Sequence, residues 1–341
     1  MHLDAQLMFE DLSQVTPAAQ QLEALGFDAL WTFETQHDPF LPLGLVATGT
    51  EKMGMGTNIA VAFARTPMAT AMTAWDLARS SGGRFMLGLG TQVRMHVERR
   101  FSMPFEHPAA RVREYILCMR AIWDCWQNGS KPDFVGEYYK FKLMTPFFNP
   151  GPMAHPDIPV FLAGVQPTMC RTAGEVADGF HVHPLHSPRY LREVVHPSLA
   201  EGRRLAGKPA EGMQLYAPVF CITGLNAAQT AEREAFVRGQ IAFYASTPNY
   251  RHILDLHGWT AAGEKLSKMV RAGEWDKLGG EITDEMLDAF AVTAPLDKLP
   301  GVLRQRYAGL VQRISIYLPV PGSDDPQVWQ DFAGAFHAAG A

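Results

Sequence analysis

The chain has 341 residues, 47% of them hydrophobic and 19% charged, with a formal net charge of -5 and an isoelectric point near 6.2. That length accommodates one large barrel or two ordinary domains with a substantial core, and the acidic balance excludes a general nucleic-acid or membrane-surface binder, which needs a basic face. No apolar run reaches the roughly 18 residues of a membrane span, and the N-terminus, carrying Asp4 and Glu10, has neither the basic start nor the apolar core of a signal peptide, so the expected compartment is the cytoplasm. The four cysteines, Cys118, Cys125, Cys170 and Cys221, form no CxxC pair. Cys118 and Cys125 stand two helical turns apart, too far for a disulfide, and buried free thiols are expected.

In chain order, residues 3–9 read as an apolar strand and 17–25 as an amphipathic helix stopped by Gly26. Residues 28–33 form the second strand and 41–51 the second helix. The third strand spans 56–63, and helix three opens on Pro67, a residue suited to a first helical turn, and runs to about Ser80. Gly82 and Gly83 end that helix, and 84–89 is a buried fourth strand. It closes on Gly88 and Gly90, where backbone lying close to a ligand is one reading and a tight turn the other. No periodicity holds from Gly90 to Pro108, which predicts a long loop. Helix four, 109–127, repeats Val112, Ile116, Met119, Ile122, Trp123 and Trp126 at helical spacing. Residues 128–156 then interrupt the alternation with a small hairpin at 134–141.

The alternation resumes with strand five at 159–163, helix five at 167–177, strand six at 179–183, helix six at 188–205, strand seven at 214–223 and helix seven at 230–245. A helical insertion from about 249 to 290 carries Trp259 and Trp275, which need a partner surface. Helix eight at 296–307, strand eight at 312–318 and a terminal helix at 325–338 complete the count. Alternating strands and helices with short loops predict parallel strands and right-handed crossovers. Eight of each predict an α/β fold of the TIM (β/α)8 barrel type, one domain over 1–341 with insertions at about 91–107, 128–157 and 247–290. A doubly wound open sheet would need fewer strands. GLGTQV begins like a dinucleotide fingerprint, but its third glycine position is Val93 and no helix is expected before about Ala109.

In a barrel, function sits where strands end: 34–38, 58–65, 88–96, 164–168, 181–186 and 223–226. Three of these ends carry a resemblance. GTNIAVAFARTP (56–67), GGRFMLGLGTQ (82–92) and IPVFLAGVQPT with GEVADG (158–168 and 174–179) resemble the bacterial luciferase-like superfamily, and AWDLARSSGGRF (74–85) is most similar to its branch using the deazaflavin coenzyme F420. The resemblance implies a barrel that binds F420, or alternatively FMN, at the strand ends. It also implies a bulge in strand three with a non-proline cis peptide at Asn58-Ile59, and a homodimer. The cofactor contacts it implies are Asn58, Ile59, Ala60, Gly90, Gln92, His96, Ala163, Gly164, Val165 and Gln166, with a phosphate near the amides of the helix that Pro167 starts.

For acid-base work the best cluster is Glu34, Gln36, His37 and Asp38. Relatives often carry an acidic residue followed directly by histidine at this place, whereas here Thr35 follows Glu34. His37 is the expected proton carrier, since histidine titrates near neutral pH, with Glu34 as its helper. His181, His183 and His186 raise a metal site, but the familiar HxH barrels carry that pair on their first strand, so pocket or core histidines are expected and no metal. Arg65, Arg94, Arg99 and Arg100 gather near the mouth and would suit an anionic cofactor tail. The function expected is an oxidoreductase exchanging a hydride between F420 and a small organic substrate. An FMN-dependent monooxygenase is the alternative, and a non-catalytic cofactor-binding relative the alternative of another class.

Overall fold

The computed structural model describes residues 1–317 and 325–340. Eight parallel strands close on themselves in chain order: β1 (His2–Gln6), β2 (Ala29–Thr32), β3 (Gly54–Thr57), β4 (Phe85–Gly90), β5 (Val160–Gly164), β6 (Gly179–Val182), β7 (Gln214–Ile222) and β8 (Arg313–Ile316). β8 pairs back onto β1 with His2 opposite Arg313, which makes the sheet a TIM barrel. Around it run α1 (Val15–Ala24), α2 (Leu41–Gly49), α3 (Pro67–Ser80), α4 (Pro108–Asn128), α5 (Pro167–Val176), α6 (His196–Leu205), α7 (Ala227–Ala245), α8 (Leu299–Tyr307) and the terminal α9 (Pro326–Ala338).

The period-two alternation of side chains sorts each strand into two faces. Leu3, Leu30, Met55, Leu87, Leu162, Phe180, Leu215 and Ile314 point outward into the continuous core shared with the helices. Ala29, Trp31, Met86, Phe161 and Tyr216 form a separate cluster inside the barrel. Two polar groups share that interior. Arg313 Nε and Nη2 donate to the Asp4 carboxylate at 2.7 and 2.8 Å, and Trp31 Nε1 donates to Asp4 Oδ2 at 2.7 Å. Tyr216 and Ser315 share a hydroxyl bond of 2.6 Å.

The structure corrects the sequence reading at five places. The third strand does not run through to 63: it stops at Thr57, and the chain rejoins the sheet as Ala60–Val61 beside β4. The expected loop after Gly90 holds a short helix, Arg94–Arg99, which buries only Val97 and so has no apolar repeat to betray it. The helix expected over 188–205 is widened into a π turn at Leu191–Val195, just before Pro197, whose missing N–H and bulky ring cannot continue an ordinary ladder. The insertion ends in a strand, Ala291–Thr293, that extends the sheet along the upper half of β7. Trp259 finds its partner within the insertion, stacked on His257 at 4.6 Å, whereas Trp275 stays half exposed. The end expected for strand eight, Leu318, lies outside the described residues. All four cysteines are buried and free. Among the described residues no helix is long and apolar enough to cross a membrane.

Candidate active site at the barrel mouth

The bulge in β3 is the feature around which the mouth is built. The Asn58-Ile59 peptide bond is cis. The bulge fits only because β4 carries glycines: a Cβ on Gly88 would lie 1.7 Å from the Thr57 carbonyl oxygen and 2.4 Å from His181 Nε2, and one on Gly90 would lie 2.8 Å from Ile59 Cγ1. The Thr57 hydroxyl donates to the Gly88 carbonyl at 2.6 Å and accepts the Gly88 N–H at 3.0 Å. The room these glycines make is therefore taken by the neighbouring strand rather than by a ligand.

Glu34, at the end of β2, clamps the bulge. Its Oε2 accepts the Val61 N–H at 2.6 Å, its N–H donates to the Ile59 carbonyl at 3.3 Å, and both carboxylate oxygens accept from Arg65 Nη1 at 2.9 Å. Arg65 in turn reaches Asp38 at 2.7 Å and lies over the Phe40 ring. Glu34→Ala strands the buried Val61 amide and leaves Arg65 to Asp38 alone, and should cost about 2–3 kcal/mol, seen as a lowered melting temperature. Glu34→Gln, which retains an acceptor for Val61, should cost roughly half as much. A variant melting with the wild type would show that the clamp carries no stability.

His37 is exposed, with its ring 4.9 Å from that of Phe9, and lines a cleft of about 230 Å³ with Phe9, Asp11, Asp38 and Leu41. Gln92 adopts a left-handed φ of 58°, and its side-chain oxygen accepts the Val93 N–H at 3.0 Å. His96 is exposed on the short helix beyond it. Of the four arginines, Arg65 is committed to Glu34 and Asp38, Arg94 pairs with Glu98, and Arg100 donates to the Thr35 carbonyl. Arg99 alone of the four has no partner among the described residues.

At the end of β5, Ala163 pairs with His181 of β6, and Gly164 approaches Met169 so closely that a Cβ would lie 2.6 Å from its Cγ. The Val165 carbonyl accepts from the Tyr190 hydroxyl and from His252 Nε2 at 3.2 Å. The Gln166 carbonyl accepts the Met169 and Cys170 amides. Pro167 has no N–H, so the Thr168 amide is the one left free at the start of α5. Tyr190 and His252 were not singled out from the sequence, and no local pattern marks two residues that meet one carbonyl from distant elements.

Beneath the bulge, the Gln6 and Asn58 side chains approach the Tyr216 hydroxyl, which is bonded to Ser315. His181 sits among Trp31, Phe161 and Tyr216 at ring distances of 4.8, 5.1 and 5.3 Å, with neither ring nitrogen in a well-formed hydrogen bond. Burial pushes its pKa down to about 3, so the ring is neutral. His186 is bonded to the His183 carbonyl and the Tyr307 hydroxyl, facing away from His181. The three histidines do not converge, and among the described residues no group of three or more His, Cys, Asp or Glu side chains is arranged to hold a metal. The larger cleft, about 680 Å³, lies at the opposite end of the barrel, against His2, Gln214 and Gln312.

A closed (β/α)8 barrel whose C-terminal face gathers a bulged strand, a free helix amide and titratable side chains belongs to the enzyme-bearing class of this fold. The family model described as luciferase-like monooxygenase matches residues 1–312, and the chain belongs to that family. An uncharacterized protein of Mycobacterium tuberculosis is 48% identical over 303 residues, covering 89% of each chain. The 5,10-methylenetetrahydromethanopterin reductase of Archaeoglobus fulgidus is 26% identical over 300 residues, covering 86% of each. Among solved structures, the coenzyme F420-dependent tetrahydromethanopterin reductase from Methanopyrus kandleri superposes with a TM-score of 0.79 at 20% identity, over 99% of this chain and 98% of that one.

Proposed function

We propose that the chain is an oxidoreductase that binds the deazaflavin F420 at the barrel mouth and exchanges a hydride with a small organic substrate. The observation that carries this reading is the end-to-end likeness to a reductase that uses coenzyme F420, joined to family membership over residues 1–312. The residues present suit such a group. Half-buried Ile59, on a bulge fixed by Glu34, offers an apolar seat; the free Thr168 amide and unpartnered Arg99 suit the anionic tail. Ala60, Gly90, Gln92, His96, Ala163, Gly164, Val165 and Gln166 line the same strand ends. When bound, the deazaflavin supplies or accepts the hydride at its ring carbon.

The chain's own tasks are then to hold the ring, shield it from water and move one proton. His37 is the proton carrier in this reading, and Glu34 holds the backbone that supports the ring. His37→Ala should lower kcat by about 10²-fold while the cofactor dissociation constant stays within about twofold. Equal kcat in the variant would remove His37 from the reaction.

The family's description as monooxygenases favours FMN as the second reading. Fluorescence titration with each cofactor separates the two: F420 should bind at least about tenfold more tightly than FMN. Tight FMN binding with no F420 binding would overturn the proposal. Reduced F420 that binds but is never oxidised across carbonyls, enones and alcohols would mark a non-catalytic relative.

A further inference from the structure

Across the mouth from the bulge lies a second cluster, around β7, the strand diametrically opposite β3 in the closed order. His183, one residue past β6, has its ring 4.2 Å from that of Tyr250 and meets Tyr244 edge-on at 4.7 Å. Tyr317, one residue past β8, meets Phe220 of β7 at 4.8 Å. Each of these side chains except buried Phe220 is only half-buried.

The hydrogen bonding leaves donors over. The Leu185 N–H donates to His183 Nδ1 at 3.1 Å, which puts the ring proton on Nε2, and Nε2 has no partner among the described residues. The Tyr244 and Tyr317 hydroxyls share a bond of 2.7 Å; one phenol donates to the other, and among the described residues the acceptor's own proton is unspent. The cluster is uncharged: burial and the neighbouring His186 hold His183 down at about 3. Arg233, behind it, donates to the Cys221 and Tyr317 carbonyls.

We propose that this cluster is the substrate-recognition wall of the site, built for a neutral, planar molecule with a carbonyl oxygen that accepts from His183 Nε2–H and the surplus phenol proton. The carbon skeleton then lies against the aromatic rings. A carboxylate or phosphate is disfavoured, because the donors offered to it are neutral and the Arg233 guanidinium behind them is spent on backbone carbonyls. The inference rests on the reading of the mouth as the redox site, since that is what would put a substrate carbonyl here.

The test uses acetophenone as a neutral carbonyl probe and benzoate as its anionic counterpart, with binding measured by saturation-transfer NMR on the full chain, with and without F420. Wild-type protein should bind acetophenone at least about tenfold more tightly than benzoate, and His183→Phe and the double variant Tyr244→Phe/Tyr317→Phe should each weaken acetophenone about tenfold while F420 affinity is unchanged. The double variant removes both phenol oxygens and keeps the rings, so it tests the wall even if His183→Phe fails to fold. Acetophenone affinity unaltered in the double variant and in any folded His183→Phe, no measurable acetophenone binding to wild type, or benzoate binding equally well would each overturn the wall. Failure of F420 to bind would overturn the cofactor reading instead, and acetophenone binding without F420 would leave the wall standing.

Discussion

Gly88→Ala is expected to yield little or no soluble folded protein, with a loss of at least about 3 kcal/mol in any fraction that folds. The added methyl would stand 1.7 Å from a backbone carbonyl and 2.4 Å from the His181 ring, and neither neighbour is the end of a flexible side chain. The Thr57 carbonyl is held by the bulge itself, and His181 is enclosed by Trp31, Phe161 and Tyr216. Overpacking here cannot be relieved by a rotamer change; one strand must leave the other. Expression with a thermal melt is sufficient, and a variant that melts with the wild type would refute the account of the bulge. Gly82→Ala is the matched control: no atom lies within 4 Å of its Cβ position, so only the strain of its positive φ is charged against it.

Arg313→Met should cost about 3–5 kcal/mol, because it leaves Asp4 fully enclosed in the barrel without its cation. The side chain of Asp4 has no exposure and that of Arg313 only 8%. The pH dependence gives a second signature. Burial raises the Asp4 carboxyl above its ordinary 3.8, against the opposing pull of Arg313 and the Trp31 bond. A raised folded-state pKa means the native protein holds a proton that the unfolded chain has released, so this contribution to stability is complete below pH 3.8 and is lost as pH rises through the folded value. Without Arg313 the folded value rises further. The melting temperature of the variant, relative to wild type, should therefore fall as pH goes from about 4 to 7. A difference independent of pH would show that Asp4 is not the group responsible. Asp4→Leu combined with Arg313→Met removes both charges and should recover most of the loss.

The barrel was legible from the sequence because short, largely apolar strands alternate with helices joined mostly by short loops, eight times over. What was not legible follows from distance along the chain. The run GTNIAVAF (56–63) is apolar from Ile59 onward, so the strand reads on across a break that only the family resemblance located. Arg65 reads as a free cation until the fold brings Glu34 beside it. Gly88 and Gly90 read from the sequence as backbone lying close to a ligand or as a tight turn; the neighbour that makes glycine necessary is the bulge, which no local pattern reveals. His183 stood out only as part of an apparent metal triplet, because its partners Tyr244 and Tyr250, and the Tyr317 that bonds Tyr244, come from separate stretches later in the chain.

The length of β7 bears on how such a chain diversifies. At nine residues it overshoots its barrel partners, and its last three residues, Phe220–Ile222, pair with Ala291–Thr293. The helical insertion that supplies Tyr250 and His252 is thus stitched down where it ends, on the outer part of a strand whose inner part pairs with β6 and β8. Sequence drift within that insertion can reshape one side of the mouth while the closure of the barrel stays untouched. Selection on substrate preference and selection on folding consequently act on different stretches of the same polypeptide, and this division lets a single scaffold be retuned one wall at a time.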